Sequence, residues 1–139
     1  MLATLEAHLH YQFKDPQILR LALCHKSYAN EERKRNVSKE EFVRLHNERL
    51  EFLGDSVLGL VISDLLSEKF PSADEGKLSK MRSSLVKEDT LALLARNIQL
   101  GNHLLLGKGE EGTHGRSKDS ILASTYEAVL GGIYLDGGF

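Results

Sequence analysis

Leu2, Leu5 and Leu9 open the chain at helical spacing, and apolar residues recur every three or four positions through most of the remaining sequence. Gly and Pro are sparse between these runs, which are rich in Leu, Ala, Glu, Lys and Arg, residues that lose little rotamer freedom in a helix. The pattern predicts an all-α fold. Asp15-Pro16 supplies an N-cap and a first-turn proline for a second helix, whose apolar side is Ile18, Leu19, Leu21, Ala22 and Leu23. Residues 30–41 mix charges almost without apolar positions and read as a mobile surface loop. The longest periodic run, His46 to Phe70, carries Leu50, Leu53, Val57, Leu58, Val61, Ile62, Leu65 and Leu66 and stops before Pro71. After Ser56 it is nearly apolar all round, which marks a central, buried helix.

Past a turn at 72–76, Lys77 to Val86 reads as a basic helix and Thr90 to Asn97 as another Leu-rich one. Gly101, Gly107, Gly109, Gly112 and Gly115 mark an open loop around the apolar plug Leu104-Leu105-Leu106. Their spacing lacks the Lys-Ser/Thr of a phosphate-cradling P-loop. The last helix, Lys118 to Leu135, holds Gly131-Gly132 inside its pattern. Each such glycine costs about 1 kcal/mol relative to Ala unless a close backbone approach offsets it.

Composition narrows the class. The 139 residues amount to one domain, and 41% hydrophobic with 27% charged residues is ordinary for a soluble globular protein. Lys and Arg number 18 against 20 Asp and Glu, a net charge of −2, which argues against a generic nucleic-acid-coating protein; a polyanion would have to meet local basic patches. The single cysteine, Cys24, excludes an internal disulfide framework and reads as a small buried hydrophobe in a reducing compartment. Met1 to His10 lacks a signal-peptide pattern, and no run approaches the ~18 apolar residues of a membrane span, so a soluble, cytoplasmic protein is expected. The six histidines show no zinc-ligand spacing. His25 reads as a packing or capping residue.

One stretch, Asn47 to Asp55, does not fit an ordinary surface helix. At ~100° per residue Glu48, Glu51 and Asp55 fall within roughly 60° of arc. Their i+4 neighbours are Phe52 for Glu48 and Asp55 for Glu51, so the usual compensating lysine is missing. A second acidic position, Glu127, lies among Ser124, Ala128 and Gly131, small residues that would let the last helix approach another closely. Were the two helices packed together, Glu51, Asp55 and Glu127 would converge. A hard divalent cation, Mg²⁺ or Mn²⁺, is the natural partner of such an oxygen set. Helix geometry alone leaves two readings, a metal site and a solvated acidic face.

The run His46-Asn47-Glu48-Arg49-Leu50-Glu51-Phe52-Leu53-Gly54-Asp55-Ser56-Val57-Leu58 resembles the signature of bacterial ribonuclease III. Leu23-Cys24-His25-Lys26-Ser27, Glu75-Gly76-Lys77-Leu78-Ser79 and Ser120 to Ala128 resemble further boxes of that family, in its order. The resemblance implies the family's all-α endonuclease fold, a homodimer, and Mg²⁺-dependent cleavage of double-stranded RNA, with Mn²⁺ able to substitute. It also implies products with 5′-phosphate and 3′-hydroxyl ends and a part in ribosomal and other RNA processing. By position, Glu51 and Glu127 match metal ligands, Asp55 and Glu127 match catalytic carboxylates, and Asp55 sits at the metal centre. Glu48 and Glu75 match acidic positions lining the same valley. Lys77, Lys80 and Arg82 are candidate contacts to RNA phosphates, with a solvated face as the alternative. Phe52 is expected at an interface or in the core, and a dimer interface is consistent with so apolar a helix.

Two departures qualify the resemblance. Ser124 stands where the family most often has Asp, so the expected metal shell of Glu51, Asp55, Ser124 and Glu127 has one negative charge fewer, and weaker metal affinity and activity are expected. The same substitution gives substance to an alternative, a catalytically weakened or inactive RNA-binding or assembly domain. In addition, residues 1–139 read as the catalytic domain alone, without the double-stranded RNA-binding domain that bacterial members usually carry after it.

Overall fold

A computed structural model describes residues 2–33 and 36–139. Among these residues the regular secondary structure is helical, apart from one parallel bridge between Cys24 and Leu105. The helices are α1 Leu2–Leu9, α2 Pro16–Leu23, α3 Lys26–Glu32, α4 Lys39–Phe42, α5 Glu48–Lys69, α6 Glu75–Leu85, α7 Glu88–Asn97, α8 Lys108–Gly112 and α9 Asp119–Gly137. Short 3₁₀ turns at Leu100–His103 and Gly115–Ser117 flank α8. As Asp15-Pro16 predicts, the Asp15 carboxylate accepts from the Gln17 backbone N–H at 3.0 Å and starts α2.

The core gathers around α9, which packs against α5, α7 and α2. Ile121, Leu122, Ala123, Ala128 and Val129 of α9 are buried, with Leu5, Leu19, Leu23, Leu100 and Leu104 closing around them. Each fully buried Leu or Val contributes about 1.5–3 kcal/mol relative to leaving it in water. The Leu104-Leu106 plug behaves as expected: Leu104 and Leu106 are buried, and Leu105 is tied to α2 by its N–H donating to Leu23 O at 3.0 Å.

The crossing of α5 and α9 depends on glycine. A Cβ on Gly54 would overlap the Glu127 carbonyl oxygen, and one on Gly131 would overlap the Leu50 carbonyl oxygen. Backbone therefore lies on backbone, and the helix-propensity cost of these glycines is offset by contact that no other residue allows. The far end of α9 is fastened too. The Asp136 carboxylate accepts from Tyr11 Oη at 2.6 Å and from the backbone N–H groups of Lys14 and Asp15 at 2.7 and 2.9 Å.

Three expectations need correction. The central, buried helix is α9; α5 buries Leu50, Gly54, Leu58 and Leu66, while Leu60 and Leu65 are more than half exposed. An all-round apolar pattern signals burial but does not say against which molecule. The surface loop at 30–41 is shorter than its composition implies, because α3 continues through Glu32 and the Ser38 hydroxyl caps α4 by accepting from Glu41 N; Lys34 and Arg35 lie outside the described residues. Within the glycine-rich segment, Gly107 and residues 108–112 turn into α8, with Arg116 bracing it through paired hydrogen bonds to Glu111 and donations to Gly101 O and Leu104 O.

Candidate active site

The first turn of α5 is set by residues that point away from solvent. Asn47 is buried; its side-chain amide donates to Ala22 O at 2.9 Å and its backbone N–H to Cys24 O at 2.9 Å, which latches the start of α5 to the end of α2. Buried His46 leans on Phe42, and its Nδ1 accepts from Glu48 N at 3.4 Å, in place of the missing side-chain cap. Burial lowers the pKa of His46, which keeps the ring neutral and able to accept. Sequence reasoning did not assign these two residues a role. An Asn at the helix boundary preceded by His is the signal that was available.

With α5 fixed this way, Glu48 and Glu51 stand in its first turn, where the positive end of the helix dipole favours them. The glycine crossing brings Glu127 of α9 to the same place. Glu48, Glu51, Phe52, Asp55 and Glu127 line one cleft of about 430 Å³. Glu127 has its pKa pushed up to about 8, first by burial, then by a hydrogen bond from its protonated form to the Asp55 carboxylate and by the nearby negative charges of Asp55 and Glu51. Glu51 is raised as well, chiefly by burial, with Glu48 and Asp55 adding to it and the adjacent Ser124 hydroxyl opposing it. Among the described residues the only cation within ion-pair distance of these carboxylates is Lys26, 3.9 Å from Glu48 and exposed to solvent. Glu48 thus gains an exposed cation from α3 that the i+4 pattern does not supply, while Glu51, Asp55 and Glu127 have none within ion-pair distance among the described residues.

This donor set suits a hard divalent cation: all oxygen, unneutralised, and held on two long helices. Among the described residues no three carboxylates are arranged around a common point, and burial keeps the Glu127 carboxyl protonated well above the ordinary carboxylate range. A cation entering here would displace that proton, which is the usual competition at a carboxylate site.

The remaining site residues divide. Ser124 faces Glu51 from α9. Glu75 lies outside the cleft, in the first turn of α6, accepting from Ser79 Oγ at 2.9 Å. Lys77 and Lys80 are exposed on the outer side of α6, whereas Arg82 lies on the side turned to α5 and donates from Nη1 to Ser63 Oγ at 2.8 Å. His25 caps α3, with Nδ1 accepting from Ser27 N at 3.1 Å. Phe52, at the lip of the cleft, is 80% exposed.

Residues 15–139 match the family described as ribonuclease-III-like. The chain belongs to the ribonuclease III family. Ribonuclease 3 of Protochlamydia amoebophila is 52% identical over 134 residues, and that of Geobacter metallireducens 53% over the same length, in both cases covering 96% of this chain and 52% of the relative. The chain therefore spans about half the length of these ribonuclease III relatives. Among solved structures, the nuclease domain of ribonuclease III from Campylobacter jejuni, reported for flexibility in a region involved in dimer formation, superposes with a TM-score of 0.87 at 41% identity. That comparison covers 99% of this chain and 87% of the other. Dicer from Pichia stipitis is more distant, with a TM-score of 0.62 at 29% identity over 91% of this chain and 48% of that one. The all-α architecture is that of the ribonuclease III nuclease domain.

Proposed function

We propose that this chain is the nuclease domain of a divalent-metal-dependent endoribonuclease that hydrolyses double-stranded RNA as a homodimer. The observation that carries the reading is that Glu51, Asp55 and Glu127 line one cleft at the α5–α9 crossing with no cation within ion-pair distance among the described residues. Mg²⁺, or Mn²⁺ in its place, would supply a hydroxide nucleophile at neutral pH and offset charge on the phosphate. Glu51, Asp55 and Glu127 hold the ion, Ser124 completes its surroundings through its hydroxyl, and Glu48 adds negative charge at the rim. Cleavage of the P–O3′ bond leaves a 5′-phosphate and a 3′-hydroxyl. Ribosomal RNA precursors and other structured transcripts in the cytoplasm are the substrates that family membership points to.

Long duplex RNA incubated with the domain should be cut with Mg²⁺ or Mn²⁺, spared with chelator, and spared by Glu127→Gln. Binding without cleavage by the parent would instead favour the inert RNA-binding reading, to which Ser124 lends its one supporting observation. Ser124 also makes the metal dependence testable by itself. Adding the absent charge with Ser124→Asp should lower the Mg²⁺ concentration for half-maximal cleavage by about tenfold, since ligand charge tunes such sites. An unchanged metal requirement would remove Ser124 from the metal's surroundings.

A further inference from the structure

Asp55 lines a second space as well as the carboxylate cleft. A groove of about 550 Å³ runs from Asp55 along α5 past Ser56, Gly59 and Ser63 to Arg82 on α6. Glu51, Asp55, Gly59 and Ser63 form one i, i+4 row, so the groove continues the row of carboxylates along the same helix face. By helix rise, Ser63 lies about 12 Å beyond Asp55. A Cβ placed on Gly59 would meet nothing within 4 Å, which leaves the floor of the groove low.

Arg82 borders this space in an unusual state. It shares the groove with Asp55 yet has no carboxylate within ion-pair distance among the described residues; its contact is the neutral Ser63 hydroxyl. A guanidinium has five donors, and the Ser63 contact uses one of them. Lys77 and Lys80 lie roughly 140–160° around α6 from Arg82 at ~100° per residue, so they do not share its groove. The position holds a rigid cationic fork beside a low-floored channel that leads into an anionic cleft, and it suits bidentate binding of a phosphate group.

We infer that Arg82 binds a phosphate of the RNA strand beyond the one being cut, and that Ser63 holds its guanidinium in place to do so. This assignment rests on the proposed function and adds to it the residue that sets where the strand lies along α5. Placing the cation there leaves the carboxylates free for metal, whereas an Arg paired to Asp55 would compete with it.

The test measures duplex RNA binding in the Glu127→Gln background, with Mg²⁺ present, as a function of salt. Arg82→Gln should weaken binding about tenfold and reduce the slope of log affinity against log salt by about 1, because one phosphate contact is lost. Arg82→Lys should retain the slope but recover only part of the affinity, since it keeps the charge and loses the fork. Gly59→Leu, which adds bulk to the groove floor without displacing a neighbour at Cβ, should also weaken binding while thermal stability is kept. A purely structural role for Arg82 would leave the salt slope unmoved. If Arg82→Gln and Gly59→Leu both bind as the parent does, with the same slope, the assignment is wrong although a parent that cuts RNA upholds the nuclease reading. A parent that binds no duplex even at low salt overturns both.

Discussion

Glu127 shows how one side chain can carry the state of the whole site. Its pKa is pushed up to about 8 from an ordinary carboxyl value, so the folded, metal-free domain holds a proton that the unfolded chain has already released by neutral pH. Stability from this group is full below the unfolded pKa and declines as pH rises toward about 8. His25, His46 and His103 act in the opposite sense: burial lowers all three, so their contribution is present at neutral pH and falls away on acidification below the unfolded histidine value. In chelator, thermal stability should therefore fall between about pH 7 and about 8.5, above the unfolded histidine value, where the histidines are mostly neutral in both states and oppose the fall only weakly. Glu127→Gln should flatten that fall, and so should a divalent cation added to the parent. Melting curves across this range decide the matter; an equal decline in Glu127→Gln would place the titrating group elsewhere.

At the scale of elements, the geometry of the site is the geometry of one helix crossing. Two glycines on α5 make the point by contrast. Gly54 sits against the Glu127 backbone, so Gly54→Ala should force α5 and α9 apart and destabilise the domain by about 3 kcal/mol or more. Gly59 faces open space in the same helix, so Gly59→Ala should stabilise it by about 0.5–1 kcal/mol through backbone entropy alone. Chemical denaturation of the two variants beside the parent reads both signs, and similar effects from the two would contradict the close crossing. The sequence alone disclosed much of this arrangement. The caps at Asp15 and the run ending before Pro71 set element boundaries through local chemistry, and the small residues around Glu127 anticipated the close approach. Local pattern does not encode long-range contact, which is why Asn47 reaching Ala22, Arg82 turning to Ser63 and Glu75 standing outside the cleft became visible only in three dimensions.

For the molecule as a whole, the misread burial of α5 carries the most information. An apolar cavity of about 660 Å³ lies beside the carboxylate cleft, walled by Leu21, Val43, Leu50, Leu53 and Leu135 and bordered by Phe52 and Glu48, which line both spaces. Phe52 is 80% exposed and Leu135 56%, a concentration of apolar surface that a lone soluble domain rarely shows. In the proposed homodimer, Phe52 of each copy would be covered, and association would wall one side of the cleft that Phe52 borders. Aromatic residues of this kind commonly contribute about 2 kcal/mol or more to an interface. Phe52→Ala should weaken self-association at least about tenfold per copy, and Phe52→Glu, which buries an unpaired charge, should leave a monomer. Sedimentation would show the change in mass while circular dichroism shows unchanged helix content, because the Phe52 ring contributes nothing to the monomer's buried core. Cleavage should fall together with dimerisation, since monomer leaves the carboxylate cleft open along the Phe52 edge. A monomeric Phe52→Glu that cuts duplex RNA as fast as the parent would separate the two functions and show that each cleft works alone.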